Sequence, residues 1–252
     1  MEALSTSLPG ASRPAGRNLH RFANPGRFLR LSGRVLPWVA AAGFLITLAG
    51  LAWGLWFSPP DWQQGNAVRI MYVHVPAAWL ATMGYAALGA CGLLSIVWRH
   101  PLADLAALEI GPVGAAFTAV CLISGSLWGK PMWGAWWEWD GRMTSTLVQF
   151  FLYLGYSALW GAIEDETKAA RICAVLALVG AVNIPIIKFS VDWWATLHQG
   201  ESIISGNLAG VFLTPFLLMM LFYMLLFVCL WLVRIRTLIV ERRVRSLMQE
   251  AS

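Results

Sequence analysis

Two histidines, His74 and His198, and one run of tryptophans carry most of the chemistry open to this chain. A neutral imidazole offers a nitrogen lone pair to a transition metal, and an indole offers a large flat face. His74 sits in Met71-Tyr72-Val73-His74-Val75-Pro76, and His198 follows Trp193-Trp194-Ala195-Thr196-Leu197. The run Trp128-Gly129-Lys130-Pro131-Met132-Trp133-Gly134-Ala135-Trp136-Trp137-Glu138-Trp139-Asp140-Gly141-Arg142 holds five tryptophans between Trp128 and Asp140. Two glycines and a proline in its first half argue for a loop rather than one continuous helix. Two readings fit such a loop. Indoles settle at the headgroup level of a bilayer, and they also make a platform for a flat, amphiphilic ligand.

The elements that must position these residues are membrane helices. Of the 252 residues, 58% are hydrophobic and 12% charged, whereas a soluble domain carries about 25% charged residues. The fold class is all-α: a polytopic membrane bundle with six spans and no second domain. The apolar runs are Pro37 to Phe57, Pro76 to Trp98, Ala107 to Leu127, Ser145 to Ile163, Ile172 to Phe189 and Leu208 to Val233. Pro76 suits the first turn of its span, which sets His74 at the entrance. Residues 1–35 read as an Arg-rich tail, 36–233 as the membrane domain with the tryptophan loop at 128–142, and 234–252 as a basic tail. With six spans both termini share a side. Fourteen Lys and Arg fall on that side and four on the other, so both termini are expected in the cytoplasm. The basic excess is thus an orientation signal and not a nucleic-acid footprint. It leaves the tryptophan loop, His74 and His198 outside, which in a bacterium means the periplasmic face, with His20 and His100 on the cytoplasmic side.

Other residue types exclude chemistry more than they suggest it. Cys91, Cys121, Cys173 and Cys229 all lie in apolar runs, with no Cys-x-x-Cys-His for covalent haem and no disulfide framework. No Gly-rich phosphate loop is present, so ATP work must belong to a partner. No nucleophile–base pair stands out in the outer loops, and no catalytic residue is assigned. Glu109 is expected at the headgroup boundary, since an acid at the bilayer centre costs about 2.5–3.5 kcal/mol. Asn183 and Pro185 can kink their span or bond across the bundle.

Two imidazoles over a floor of indoles would suit an iron porphyrin, with the histidines binding the iron axially. Arg69, Lys130 and Arg142 are cations that can pair with propionates, although each also suits a lipid headgroup. On residues alone, headgroup anchoring, another flat ligand and haem all remain open.

At these motifs the chain resembles the WWD family of haem-handling membrane proteins, in the CcmC branch that serves cytochrome c maturation. The run Trp128 to Arg142 resembles the WWD signature, and the segments around His74 and His198 resemble that branch's histidine segments. The likeness covers all six spans and leaves out the Arg-rich tail. It implies haem b as the bound group, with His74 and His198 as axial ligands and Trp128, Trp133, Trp136, Trp137, Trp139 and Asp140 as the platform. Arg69 and Arg142 occupy places where the family has basic residues. The implied role is to present haem for covalent loading onto the periplasmic chaperone CcmE, beside the ABC transporter CcmA–CcmB and the small membrane protein CcmD. Such a role works by positioning. The alternative is a haem-exporting permease subunit of an ABC transporter, which would need a polar route through the bundle.

Overall fold

The computed structural model describes residues 24–198 and 210–251, all helix and connecting turns without a strand. Residues 1–23 of the tail expected over 1–35, with His20, and the start of the sixth run at Leu208 lie outside the described residues. Helix α1, Pro25–Ala52, begins within the stretch read as tail. Asn24 explains the start: its side chain accepts from the Arg27 amide at 3.0 Å, and Pro25 takes the first turn, where no amide partner is needed. A π-helical turn, Trp53–Phe57, and a 3-10 turn, Asn66–Ile70, lead into α2, Met71–Trp98. Then come α3, Pro101–Trp133; α4, Gly141–Ala162; α5, Glu166–Gly180; α6, Asn183–Trp193; and α7, Gly210–Glu250.

Five stretches are long and apolar enough to cross a membrane: Pro25–Phe57, Asn66–Trp98, Pro101–Trp133, Glu166–Trp193 and Gly210–Glu250. The expected run at Ser145 is helical in α4 but is not among them. Its 22 residues would extend about 33 Å at 1.5 Å per residue, so length is adequate. Composition is the difference. Ser145, Gln149, Tyr153, Tyr156 and Trp160 recur at helical spacing and form one buried, polar-bearing stripe down α4.

That stripe organises the core. Tyr153 donates to the Ala81 carbonyl of α2 at 2.9 Å and meets Tyr85 edge to face, ring centroids 4.9 Å apart. The fifth run breaks at Ala181–Val182, ahead of Pro185, giving α5 and α6 in place of one helix. Asn183 bridges the break: its amide donates to Ser145 O at 2.9 Å and Gln149 Oε1 at 3.1 Å on α4. Glu109 pairs across the bundle with α7. It is buried on α3, where the Arg234 guanidinium of α7 hydrogen-bonds its carboxylate, and pairing is what makes a buried acid tolerable. Cys121 and Cys173 are buried, Cys91 and Cys229 half-buried, and all four are free thiols.

Candidate functional site

His74 and the tryptophan run meet at one end of the bundle, and α3 sets the arrangement. The tryptophan run is not all loop. α3 continues through Trp128 and Pro131 to Trp133 before Gly134 ends it with φ 80°, the left-handed turn that glycine makes without strain. Pro131 removes a single amide donor within the final turn, too little to stop a helix anchored for thirty residues against its neighbours. The loop proper is the seven residues before α4. Nor does His74 stand at a helix entrance: the 3-10 turn and the first residues of α2 precede it, so it lies one turn inside.

Its imidazole packs on the face of α3 formed by Cys121, Ser124, Gly125 and Trp128, successive positions at helical spacing. His74 Nδ1 lies 3.1 Å from the Cys121 carbonyl oxygen and 3.2 Å from Ser124 Oγ. A carbonyl only accepts, so Nδ1 carries the proton and Nε2 keeps its lone pair. Trp128 crosses the ring edge-on at 5.6 Å, and its own N–H donates to Gln64 Oε1 at 3.0 Å. Gly125 makes the close approach possible. A Cβ there would stand 3.0 Å from His74 Cε1 and 3.4 Å from Nδ1, closer than ordinary contact. Gly125→Ala should therefore shift the imidazole by a few tenths of an ångström and, with His74 as the haem ligand the resemblance implies, weaken haem binding about tenfold, the scale of a disturbed supporting residue. Haem titration of the purified variant measures it, and wild-type affinity would contradict this role for Gly125.

His198 is held in the same tautomer by a different partner. Its Nδ1 lies 2.9 Å from Asp140 Oδ2, and the acceptor is again one that cannot donate. Asp140 also caps α4, its Oδ1 accepting from the Met143 amide at 2.7 Å. Thr196 ties the turn: its hydroxyl hydrogen-bonds Asp140 Oδ2 and accepts from the His198 amide at 3.1 Å. Burial works against the Asp140 carboxylate, yet donors from Thr196, Met143 and His198 outweigh it and hold its pKa below the ordinary value. Burial also lowers the His198 pKa, and the opposing pull of Asp140 is not enough to restore it. At neutral pH the pair is therefore a carboxylate and a neutral imidazole, with Nε2 free to bind a metal. Trp133, near the end of α3, lies edge-on to His198 at 4.9 Å.

The remaining expected residues divide. Arg142, in the first turn of α4, donates to Ser190 Oγ at 3.5 Å and to the Lys188 carbonyl at 3.4 Å. Arg69, on the 3-10 turn, donates to the Ser58 carbonyl at 3.0 Å while its buried Nε has no hydrogen-bond partner among the described residues. Trp137 likewise buries an unpartnered Nε1 and packs edge-on against Trp139 at 5.4 Å. Trp136 and Trp139 are 55% and 76% exposed, faces available to a ligand or to lipid. Lys130 turns back to the Gly134 carbonyl at 2.9 Å and over the Trp136 ring. No group of three or more His, Cys, Asp or Glu side chains that could hold a bare metal ion occurs among the described residues. Two imidazoles suit a metal that brings its own equatorial ligands.

Gly125, Ser124, Gln64 and Thr196 escaped the sequence reading. Only Thr196, two residues before His198, carried a local signal; the others depend on which face of α3 meets α2.

The family described as "Heme exporter protein C" matches residues 18–250. Proteins of that name are similar over nearly their whole length. The one from Bradyrhizobium diazoefficiens is 53% identical over 234 residues, covering 91% of this chain and 89% of the relative. That from Escherichia coli K12 is 43% identical over 223 residues, covering 88% and 91%. The Paracoccus denitrificans protein is 43% identical over 235 residues, covering 92% and 97%.

Proposed function

The chain belongs to the haem exporter protein C family, a multi-pass protein of the inner membrane, and on that premise we propose that it holds haem b between His74 and His198 for hand-over. The observation that carries the reading is the shared tautomer. Two imidazoles at one end of the bundle each spend Nδ1–H on a fixed acceptor, so each has Nε2 left for iron. The orphaned donors Arg69 Nε and Trp137 Nε1 fit a ligand that brings carboxylates, as haem propionates would. Arg142 adds a cation in the first turn of α4, two residues from Asp140. Trp128 and Trp133 flank the two histidines, while Trp136, Trp137, Trp139 and Asp140 complete the wall.

Haem, as cargo, supplies the iron and the vinyl edge to be loaded onto an acceptor. The chain's own residues bind, orient and shield it; none acts as acid, base or nucleophile. The acceptor in this reading is the chaperone CcmE in cytochrome c maturation, with CcmA and CcmB as the ABC transporter and CcmD as a small membrane partner. The topology that goes with it has six spans, α4 included, both termini in the cytoplasm and the histidine end in the periplasm. It rests on the fourteen-to-four distribution of Lys and Arg.

The direct test is the absorption spectrum of full-length protein purified in detergent from haem-producing cells. A Soret band copurifying with the chain, with ferric and ferrous features of nitrogen ligation, is expected. A colourless preparation that also fails to take up added haem would remove the reading.

A further inference from the structure

The opposite end of the bundle holds a cleft. There the Arg99 turn, α4, α5 and α7 enclose 580 Å³, within the range of roughly 300–1,000 Å³ usual for small-molecule pockets. Its walls are of two kinds. Trp160, Ile96 and Val175 make an apolar side, and Ile96 and Val175 are 42% and 51% exposed, so that side runs out onto the outer surface of α2 and α5. Three arginines from three separate elements, Arg99, Arg171 and Arg242, make the other.

Two carboxylates also line the cleft, and neither cancels all of this charge. Glu166 is engaged by Arg242 at 3.2 Å, which still leaves Arg242 Nε buried without a partner. Asp104 is bonded by Ser95 and is also within electrostatic reach of Arg242, so the two carboxylates act on Arg242. Arg99 and Arg171 have no carboxylate partner among the described residues. Arg99 is moreover the only non-glycine residue with positive φ among them, at 51°. It ends α2 in the left-handed conformation where glycine is the usual choice, so a side chain is kept at a backbone cost.

A cluster of cations at the mouth of an apolar track matches an amphiphile with an anionic head. We propose that this cleft binds an anionic phospholipid, with its phosphate at Arg99 and Arg171 and an acyl chain along Ile96 and Val175. The bound lipid bridges the Arg99 turn, α5 and the extension of α7.

Native mass spectrometry of the full-length protein in neutral detergent, titrated with cardiolipin, phosphatidylglycerol or phosphatidylcholine, tests this. The anionic lipids should be retained and phosphatidylcholine should not. Arg99→Ala with Arg171→Ala should weaken that retention about tenfold to thirtyfold, the loss expected for two arginines near a charged surface. Arg99→Lys with Arg171→Lys, which keeps the charge, should preserve most of it. Val175→Trp, which fills the apolar track without changing charge, should also reduce retention, and haem uptake should be unchanged in every variant. Equal retention of phosphatidylcholine, indifference to both sets of substitutions, or displacement of the lipid by millimolar inorganic phosphate would overturn the proposal.

Discussion

Replacing His74 and His198 together by alanine should leave the protein folded and without haem. In the proposed site each imidazole supplies one of two iron ligands, and among the described residues the four thiols are buried or half-buried, with Cys121 meeting His74 through its carbonyl oxygen. Loss of one ligand should weaken retention at least about a hundredfold, roughly 2.7 kcal/mol, and loss of both should leave only stacking and propionate contacts. The single variants should differ from the double in one informative way. Alanine leaves a space the shape of an imidazole, so millimolar imidazole added to a single variant should restore the Soret band. It should do so poorly in the double variant, where neither axial position is tethered. An unchanged band in the double variant would sink the ligand assignment, whatever its effect on activity.

Asp140→Asn should be nearly as damaging, although it changes one atom. Asp140 uses Oδ1 to cap α4 and Oδ2 to hold the His198 proton on Nδ1. Asparagine can keep the cap only by turning its amide nitrogen toward His198. That donor favours the other tautomer, with the proton on Nε2, where iron would have to bind. Haem affinity should fall about 10- to 100-fold, the range measured for residues that orient a metal-bound histidine. Thermal stability should hardly move, because the cap survives. Asp140→Ala separates the two roles, since it should lose haem affinity and also about 1 kcal/mol of helix stability. The pH profile gives an independent readout. His198 has a folded pKa below its ordinary 6.5 because it is buried, so Nε2 is available at neutral pH and is lost to protonation as pH falls. Haem retention by the wild type should be flat from pH 8 to about pH 6.5 and decline at lower pH. A decline that starts above pH 7 would contradict the neutral-imidazole state.

Which parts of this were legible in the sequence follows from how local each signal is. Membrane helices announce themselves by composition over twenty residues, and five of the six runs reappear as helices suited to crossing a bilayer. The motif residues were legible because tryptophan at such density, and histidine beside it, are rare choices in an apolar chain. Boundaries were less so. Pro131 and Gly129 looked like breakers near Trp128, yet tertiary packing carries α3 past both, and the helix ends only at Gly134. Asn183 and Pro185 did mark a real break. What could not be read was pairing across the bundle. Glu109 with Arg234 and His198 with Asp140 join residues far apart in the chain. His74 meets Gly125 and Ser124 only because α2 and α3 lie in one particular rotation about their axes.

The polar-bearing stripe on α4 has a consequence for how the protein is made. A segment that carries Ser145, Gln149, Tyr153 and Tyr156 along one side gains little by partitioning into lipid unaided. Its side chains become acceptable only once α2 and α6 cover them, through Ala81, Tyr85 and Asn183. In the proposed six-span topology, assembly of α4 is therefore cooperative with a helix synthesised before it and another synthesised after it.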